Sequence, residues 1–172
     1  MNRRVRVGRT ALVLVCTLAL GLALTGCAKG HTTQTGSSPG GGAGLPTYNV
    51  SVQKFKYSGF PDSIKSGNVV VDFSNRETYP MTHEMVVVAL PSGKSAQDVI
   101  AAAKKTGDSS EDGWLHFGEI AEVDTGATKV SVFDLPPGTY ALACWQTGTP
   151  QGKPKGGPVH LTIGMIHQFT VS

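Results

Sequence analysis

From residue 47 to the C-terminus the chain is written in short apolar-polar alternations cut by glycine, proline and asparagine, a pattern that strands use and helices do not. Tyr48, Val50 and Val52 alternate with polar residues. The phase slips at Gln53-Lys54 and resumes at Phe55 and Tyr57, which predicts a β-bulge inside one strand. Ile64-Lys65-Ser66-Gly67-Asn68 reads as a turn, Val69, Val71 and Phe73 open the next strand, and Asn75 ends it. Residues 85–90 form an apolar run closed by Pro91, suited to a buried strand. Further strands are expected near residues 117–123 and 129–135, and residues 161–171 finish the sheet. Between them Pro136-Pro137-Gly138 turns the chain, after which Tyr140, Leu142 and Cys144 share one strand face and Ala141, Ala143 and Trp145 the other. One helix interrupts: Ser95-Ala96-Gln97-Asp98 has the form of a capping box with Ser95 as N-cap, residues 99–105 carry alanines and terminal lysines, and Gly107 suits the stop. About seven strands at this spacing argue an all-β sandwich with one short helix insertion. Residues 47–172 are long enough to form one domain with its own core, and no internal repeat is visible.

Residues 1–26 read as an export signal. Arg3, Arg4, Arg6 and Arg9 form a basic start, and residues 11–24 are almost wholly apolar. That core, at about 14 residues, is short of the roughly 20 needed to span a bilayer. The Arg3-Arg4 pair also fits twin-arginine export. Residues 27–46 follow, a glycine- and serine-rich stretch with no large apolar residue except Leu45, too poor in apolar surface to order itself. As a flexible coil of about 19 residues it reaches roughly 25 Å, enough to hold a domain off a membrane, and His31 sits in it as a solvated side chain. Without the leader the chain carries eleven Lys and Arg against twelve Asp and Glu, a side-chain charge of −1. Nucleic acid is therefore not an expected partner: no basic stripe with interleaved aromatics occurs.

The cysteines narrow the chemistry. Cys16 lies in the export segment and Cys27 closes the box Leu24-Thr25-Gly26-Cys27, which leaves Cys144 as the single free thiol of an exported domain. His160 and Met165 follow it, and His83 lies upstream, just before a strand. Thiolate, imidazole and thioether together make the ligand set of a blue-copper site, in which two imidazoles and a thiolate are tolerable to both Cu(I) and Cu(II) and a weak thioether tunes the potential. Cys144 ends a strand, His160 closes the loop after it, Met165 lies near the start of the last strand and His83 precedes a third, so all four can meet at one pole. Each also has a plainer reading: Cys144 and Met165 as core filler, His83 as a strand-edge imidazole bonded to a carbonyl, His160 as a solvated loop residue. His167 shares the side of Met165 on a regular strand and could replace His160. His116 is expected to pack beside aromatics, and Met81 to fold onto the core.

Other chemistries lack an anchor. No Gly-x-Ser-x-Gly elbow occurs within residues 47–172, residues 148–153 miss the spacing of a phosphate loop, one thiol is too few for structural zinc, and Asp108, Glu111 and Asp112 do not follow a calcium-loop pattern.

Two stretches resemble known families. The box before Cys27 is similar to that of bacterial lipoproteins, which implies cleavage before Cys27 and a lipid on its sulfur. Pro137-Gly138-Thr139-Tyr140-Ala141-Leu142-Ala143-Cys144 resembles the cupredoxin pattern Pro-Gly-x-Tyr-x-x-x-Cys, and His160-Leu161-Thr162-Ile163-Gly164-Met165 resembles its His-x-x-x-Gly-Met. The resemblance implies an all-β, cupredoxin-like Greek-key β-sandwich over residues 47–172. It implies one type 1 copper, with His83, Cys144 and His160 as equatorial ligands and Met165 as the axial one. Two departures stand out: 15 residues separate Cys144 from His160, more than members usually show, and Glu84 follows His83 where many place a bracing asparagine. The expectation is a monomeric electron carrier, not an enzyme, lipid-anchored through Cys27 in a bacterial cell envelope, facing away from the cytoplasm and meeting redox partner proteins at the membrane surface. The rival readings are a copper carrier or sensor without electron transfer, and a metal-free binding module.

Overall fold

The structure, a computed structural model, describes residues 44–107, 113–149 and 156–172. The export signal, Cys16, Cys27, His31, most of the glycine-rich stretch, the acidic Asp108, Glu111 and Asp112, and Lys153 lie outside the described residues. Among the described residues no helix is long and apolar enough to cross a membrane.

Strands β1 (Thr47–Gln53), β2 (Lys56–Ser58), β3 (Ser63–Ile64), β4 (Gly67–Asn75) and β5 (His83–Ala89) are followed by helix α1 (Ala96–Thr106). Strands β6 (Leu115–Val123), β7 (Thr128–Leu135), β8 (Gly138–Ala143) and β9 (Ile166–Val171) complete the order, with a turn of 3-10 helix, His160–Ile163, before β9. One sheet runs β2-β1-β4-β7 and the other β3-β9-β8-β5-β6. β1 pairs parallel with β4 and β3 with β9, while the remaining pairs are antiparallel. The result is the expected all-β Greek-key sandwich. It has more strands than the pattern suggested because β2 and β3, with 3 and 2 residues, are too short to show a period.

The alternation places the core. Val50, Val52, Val69, Val71, Phe73, Phe133 and Leu135 of the first sheet meet Met85, Val87, Ile120, Tyr140, Leu142, Phe169 and Val171 of the second. β8 divides as expected: Tyr140, Leu142 and Cys144 enter this core, and Ala141, Ala143 and Trp145 face the other way. On that outer side Val86 and Val88 of β5 lie in a second cluster with Val99 and Ala103 of α1 and with Trp145. The helix therefore covers one face of β5, and a strand covered on both faces reads as a continuous apolar run rather than an alternation. α1 begins where its capping signal lies, with the Asp98 carboxylate accepting the Ser95 N–H at 2.9 Å, and ends at Gly107 in the left-handed region (φ 61°).

Two expectations are corrected. The slip at Gln53-Lys54 is not a bulge. Lys54 (φ 52°) and Phe55 (φ 57°) are both left-handed and form a two-residue turn that folds β2 back on β1, with Gln53 opposite Lys56. Register irregularities sit instead between β5 and β6, one where Glu122 (φ 48°) lies opposite the His83–Met85 segment and one between Val87 and Val88. Residues 161–165 are not strand: the 3-10 turn intervenes, and β9 starts at Ile166. His116 lies exposed on β6.

Candidate metal centre

The pole that receives the ends of β5 and β8 collects the chemistry. Val86 pairs with Ala143 in antiparallel register, so His83 at the start of β5 and Cys144 just beyond β8 arrive side by side. The segment after Cys144 is tied back by backbone hydrogen bonds. His160 N–H donates to the Gln146 carbonyl (2.9 Å), Leu161 N–H to Cys144 (2.9 Å), Met165 N–H to His160 (3.1 Å) and Cys144 N–H to Met165 (3.2 Å). A bridge between Thr147 and Val159 pinches off the long loop, so its length does not separate Cys144 from His160. Two glycines permit the pinch. A Cβ on Gly157 would lie 1.9 Å from the Gly148 carbonyl oxygen, and one on Gly148 would lie 2.6 Å from Met81 Sδ and 3.0 Å from His160 Nε2.

His83, Cys144 and His160 form a buried cluster of three ligand-bearing side chains. The two Nδ1 atoms lie 3.1 Å apart, and Cys144 Sγ is 3.5 Å from His160 Nδ1 and 3.9 Å from His83 Nδ1. A point equidistant from the three atoms lies about 2.0 Å from each, within the range of N and S bonds to a first-row divalent ion. His83 Nε2 faces Glu77 Oε1 at 3.4 Å, and a carboxylate only accepts, so the imidazole proton lies on that side and the Nδ1 lone pair faces the cluster. His160 Nε2 is buried without a hydrogen-bond partner among the described residues. The donor set and the inward-facing His83 lone pair fit a soft-to-borderline metal ion.

Neighbouring side chains dry and brace this pole. The Phe55 ring meets His83 edge-on at 5.5 Å and His160 at 4.7 Å, which explains why a non-glycine turn is held in the left-handed region here. Glu77 Oε1 also accepts the Phe55 N–H at 3.1 Å. Glu84 takes over a bracing role: Oε1 accepts the Trp145 N–H at 2.7 Å and Oε2 the Gln146 side-chain amide at 2.9 Å, which ties β5 to the chain beyond Cys144. Asn75 Nδ2 donates to the carbonyls of Met81 (2.7 Å) and Val123 (2.8 Å), and its Oδ1 accepts the Glu77 N–H (3.1 Å). This fixes the segment that carries Glu77. Met165 is fully buried in the same core cluster as Cys144. His167 shares the face of Phe169 but sits further along β9, its Nε2 3.4 Å from the Pro61 carbonyl, and does not join the cluster. Met81 is buried beside Gly148 and His160. Sequence reasoning missed Phe55, Asn75 and Glu77. The adjacent left-handed residues lack the Asn-Gly or Asp-Gly signature of such turns, and Glu77 lies in an aperiodic connection.

Burial sets the protonation behaviour of the metal-free cluster. It pushes the Cys144 thiol far up, against hydrogen bonds from the Glu84 and Gln146 backbone, and it lowers His83. His160 is lowered to about 3, first by burial and then by His83 beside it. A depressed imidazole binds its proton less readily folded than unfolded. Its stabilising contribution is therefore whole above the usual 6.5 and lost as pH falls towards about 3. The urea midpoint of the metal-free chain is accordingly expected to drop between pH 7 and pH 4, and to drop less in His160→Gln; equal drops in both would exclude His160 as the cause.

No protein-family model and no curated protein matches the chain. Solved structures share the architecture of two packed sheets. Dithionite-reduced auracyanin from the photosynthetic bacterium Roseiflexus castenholzii is 19% identical with a TM-score of 0.51, covering 73% of this chain and 96% of that one. Auracyanin A, described as a "blue" copper protein from the green thermophilic photosynthetic bacterium Chloroflexus aurantiacus, is 17% identical with a TM-score of 0.50, covering 75% and 100%. At this identity the likeness is one of fold, and the fold is cupredoxin-like.

Proposed function

We propose that the chain holds one copper ion in a type 1 site and passes single electrons, with no substrate turnover. His83, Cys144 and His160 would hold the ion, and Met165, buried in the same core cluster, would be a further and weaker donor that tunes its potential. The observation that carries this reading is the buried triangle of two Nδ1 atoms and one Sγ with edges of 3.1, 3.5 and 3.9 Å. Copper bound there supplies a one-electron couple. The chain's part is to keep the ligand frame unchanged as charge changes: Glu77 holds His83, Glu84 and the loop hydrogen bonds hold the Cys144 segment, and Phe55 excludes water. The description of auracyanin A as a blue copper protein on the same fold supports the reading. The box ending at Cys27 supports a lipid there, with residues 27–46 as tether, so that the domain works outside the cytoplasm of a bacterial cell envelope. Its partners are redox proteins at the membrane surface, and it acts as a monomer.

Adding Cu(II) to the purified chain tests this: an intense visible thiolate band is the expected result, and a colourless Cu(I) complex would favour a carrier instead. Met165→Leu keeps the colour and raises the potential, because a donor is lost and the surroundings become more apolar, both against the more highly charged ion. The Cu(II)-to-Cu(I) affinity ratio should fall roughly tenfold, and an unchanged potential in a redox titration would remove Met165 from the ligand set.

A further inference from the structure

Two carboxylates flank the ligand triangle. The Glu77 side chain is 1% exposed, and its Oε1 faces two nitrogen groups, His83 Nε2 and the Phe55 N–H. Glu84 is buried on the other side of His83, its two oxygens taken by the Trp145 N–H and the Gln146 amide, while the Tyr57 hydroxyl donates to its backbone carbonyl at 2.6 Å. Among the described residues neither carboxylate is paired with a lysine or arginine. This arrangement does more than brace. Together with the thiolate, the two carboxylates set three negative charges against one ion in a water-poor pole. A dipositive ion leaves one of them unbalanced and a monopositive ion leaves two, and charge differences count for more here than in water.

We infer, resting on the copper reading above, that Glu77 is a positioning residue for His83 and that Glu77 and Glu84 together bias the site towards the divalent, oxidised ion. The protein is then a low-potential member of its class: it takes its electron from a strong reductant, gives it up readily, and makes a poor carrier of Cu(I). Glu77 acts in two separable ways. Its charge favours Cu(II), and its acceptor oxygen keeps the His83 proton on Nε2, so that Nδ1 reaches the ion as a bare lone pair.

Glutamine separates the two, because its amide oxygen still accepts from His83 but carries no charge. In copper-loaded chain, Glu77→Gln is expected to keep the visible band while the Cu(II)-to-Cu(I) affinity ratio, read by redox titration, falls on the order of tenfold or more. Glu84→Gln should move the ratio the same way. In metal-free chain, nitrogen-15 NMR of the imidazoles should find the His83 proton on Nε2 in the parent and in Glu77→Gln, and a mixture of tautomers in Glu77→Leu. An unchanged affinity ratio in both glutamine variants overturns the charge argument, and an unchanged tautomer in Glu77→Leu overturns the positioning role. Should Glu77→Leu not fold, the redox titration of Glu77→Gln decides alone. A parent chain that gives no band with Cu(II) sinks the type 1 reading, and the tautomer measurement then still reports on Glu77 by itself.

Discussion

Cys144→Ser is expected to abolish the visible band that Cu(II) produces and to weaken copper binding by orders of magnitude. The hydroxyl is smaller and harder than the thiolate and does not ionise, so the two imidazoles keep no soft anionic partner. The sulfur is 3.5 and 3.9 Å from the two Nδ1 atoms, and no other cysteine lies among the described residues, so nothing nearby can substitute. The fold survives the change, because serine is nearly the same size. Burying its hydroxyl costs about 1–3 kcal/mol in the metal-free chain. Absorption spectroscopy reads the first effect and urea unfolding the second. A band of full intensity in the serine variant would remove Cys144 from the site.

The second large effect concerns stability. Gly59→Ala is expected to cost about 3 kcal/mol or more, a large part of a typical domain's 5–15 kcal/mol. Gly59 has φ 90°, and a Cβ there would lie 2.1 Å from the Asn49 carbonyl oxygen and 3.2 Å from its carbon. The obstacle is backbone of β1, so no rotamer change relieves it, and the adjoining Phe60, packed at 4.8 Å on Phe169, would be pulled from the core. Gly126→Ala is the control: φ is 81° but nothing lies within 4 Å of the added atom, so only the backbone term of about 1–2 kcal/mol remains. Equal losses in the two variants, measured by urea unfolding, would show that the close approach at Gly59 is unimportant.

Much of this fold is legible because period and burial coincide. β4 shows Val69, Val71 and Phe73 on one face and polar residues on the other, and β8 splits Tyr140, Leu142 and Cys144 from Ala141, Ala143 and Trp145. α1 is legible at both ends through Ser95, Asp98 and Gly107, since capping is local chemistry. What escapes is set by tertiary contact. Lys54-Phe55 forms a turn without glycine because Phe55 is wanted on the imidazoles. Glu77 has no periodic neighbours, and its partner His83 is fixed only once β4 and β5 sit in opposite sheets. His167 shows the limit of parity: it occupies the expected face, yet a position on a face does not fix distance from the pole. The long Cys144–His160 interval misleads for a related reason, since the Thr147–Val159 bridge makes most of it an excursion.

The course of β1 decides how the cluster is displayed. Phe55, two residues past the end of β1, lies on the imidazoles, so Thr47 begins about 20 Å away at the opposite end of the sandwich. Whatever precedes residue 47 joins the domain at its blunt end, like a mooring line at the stern.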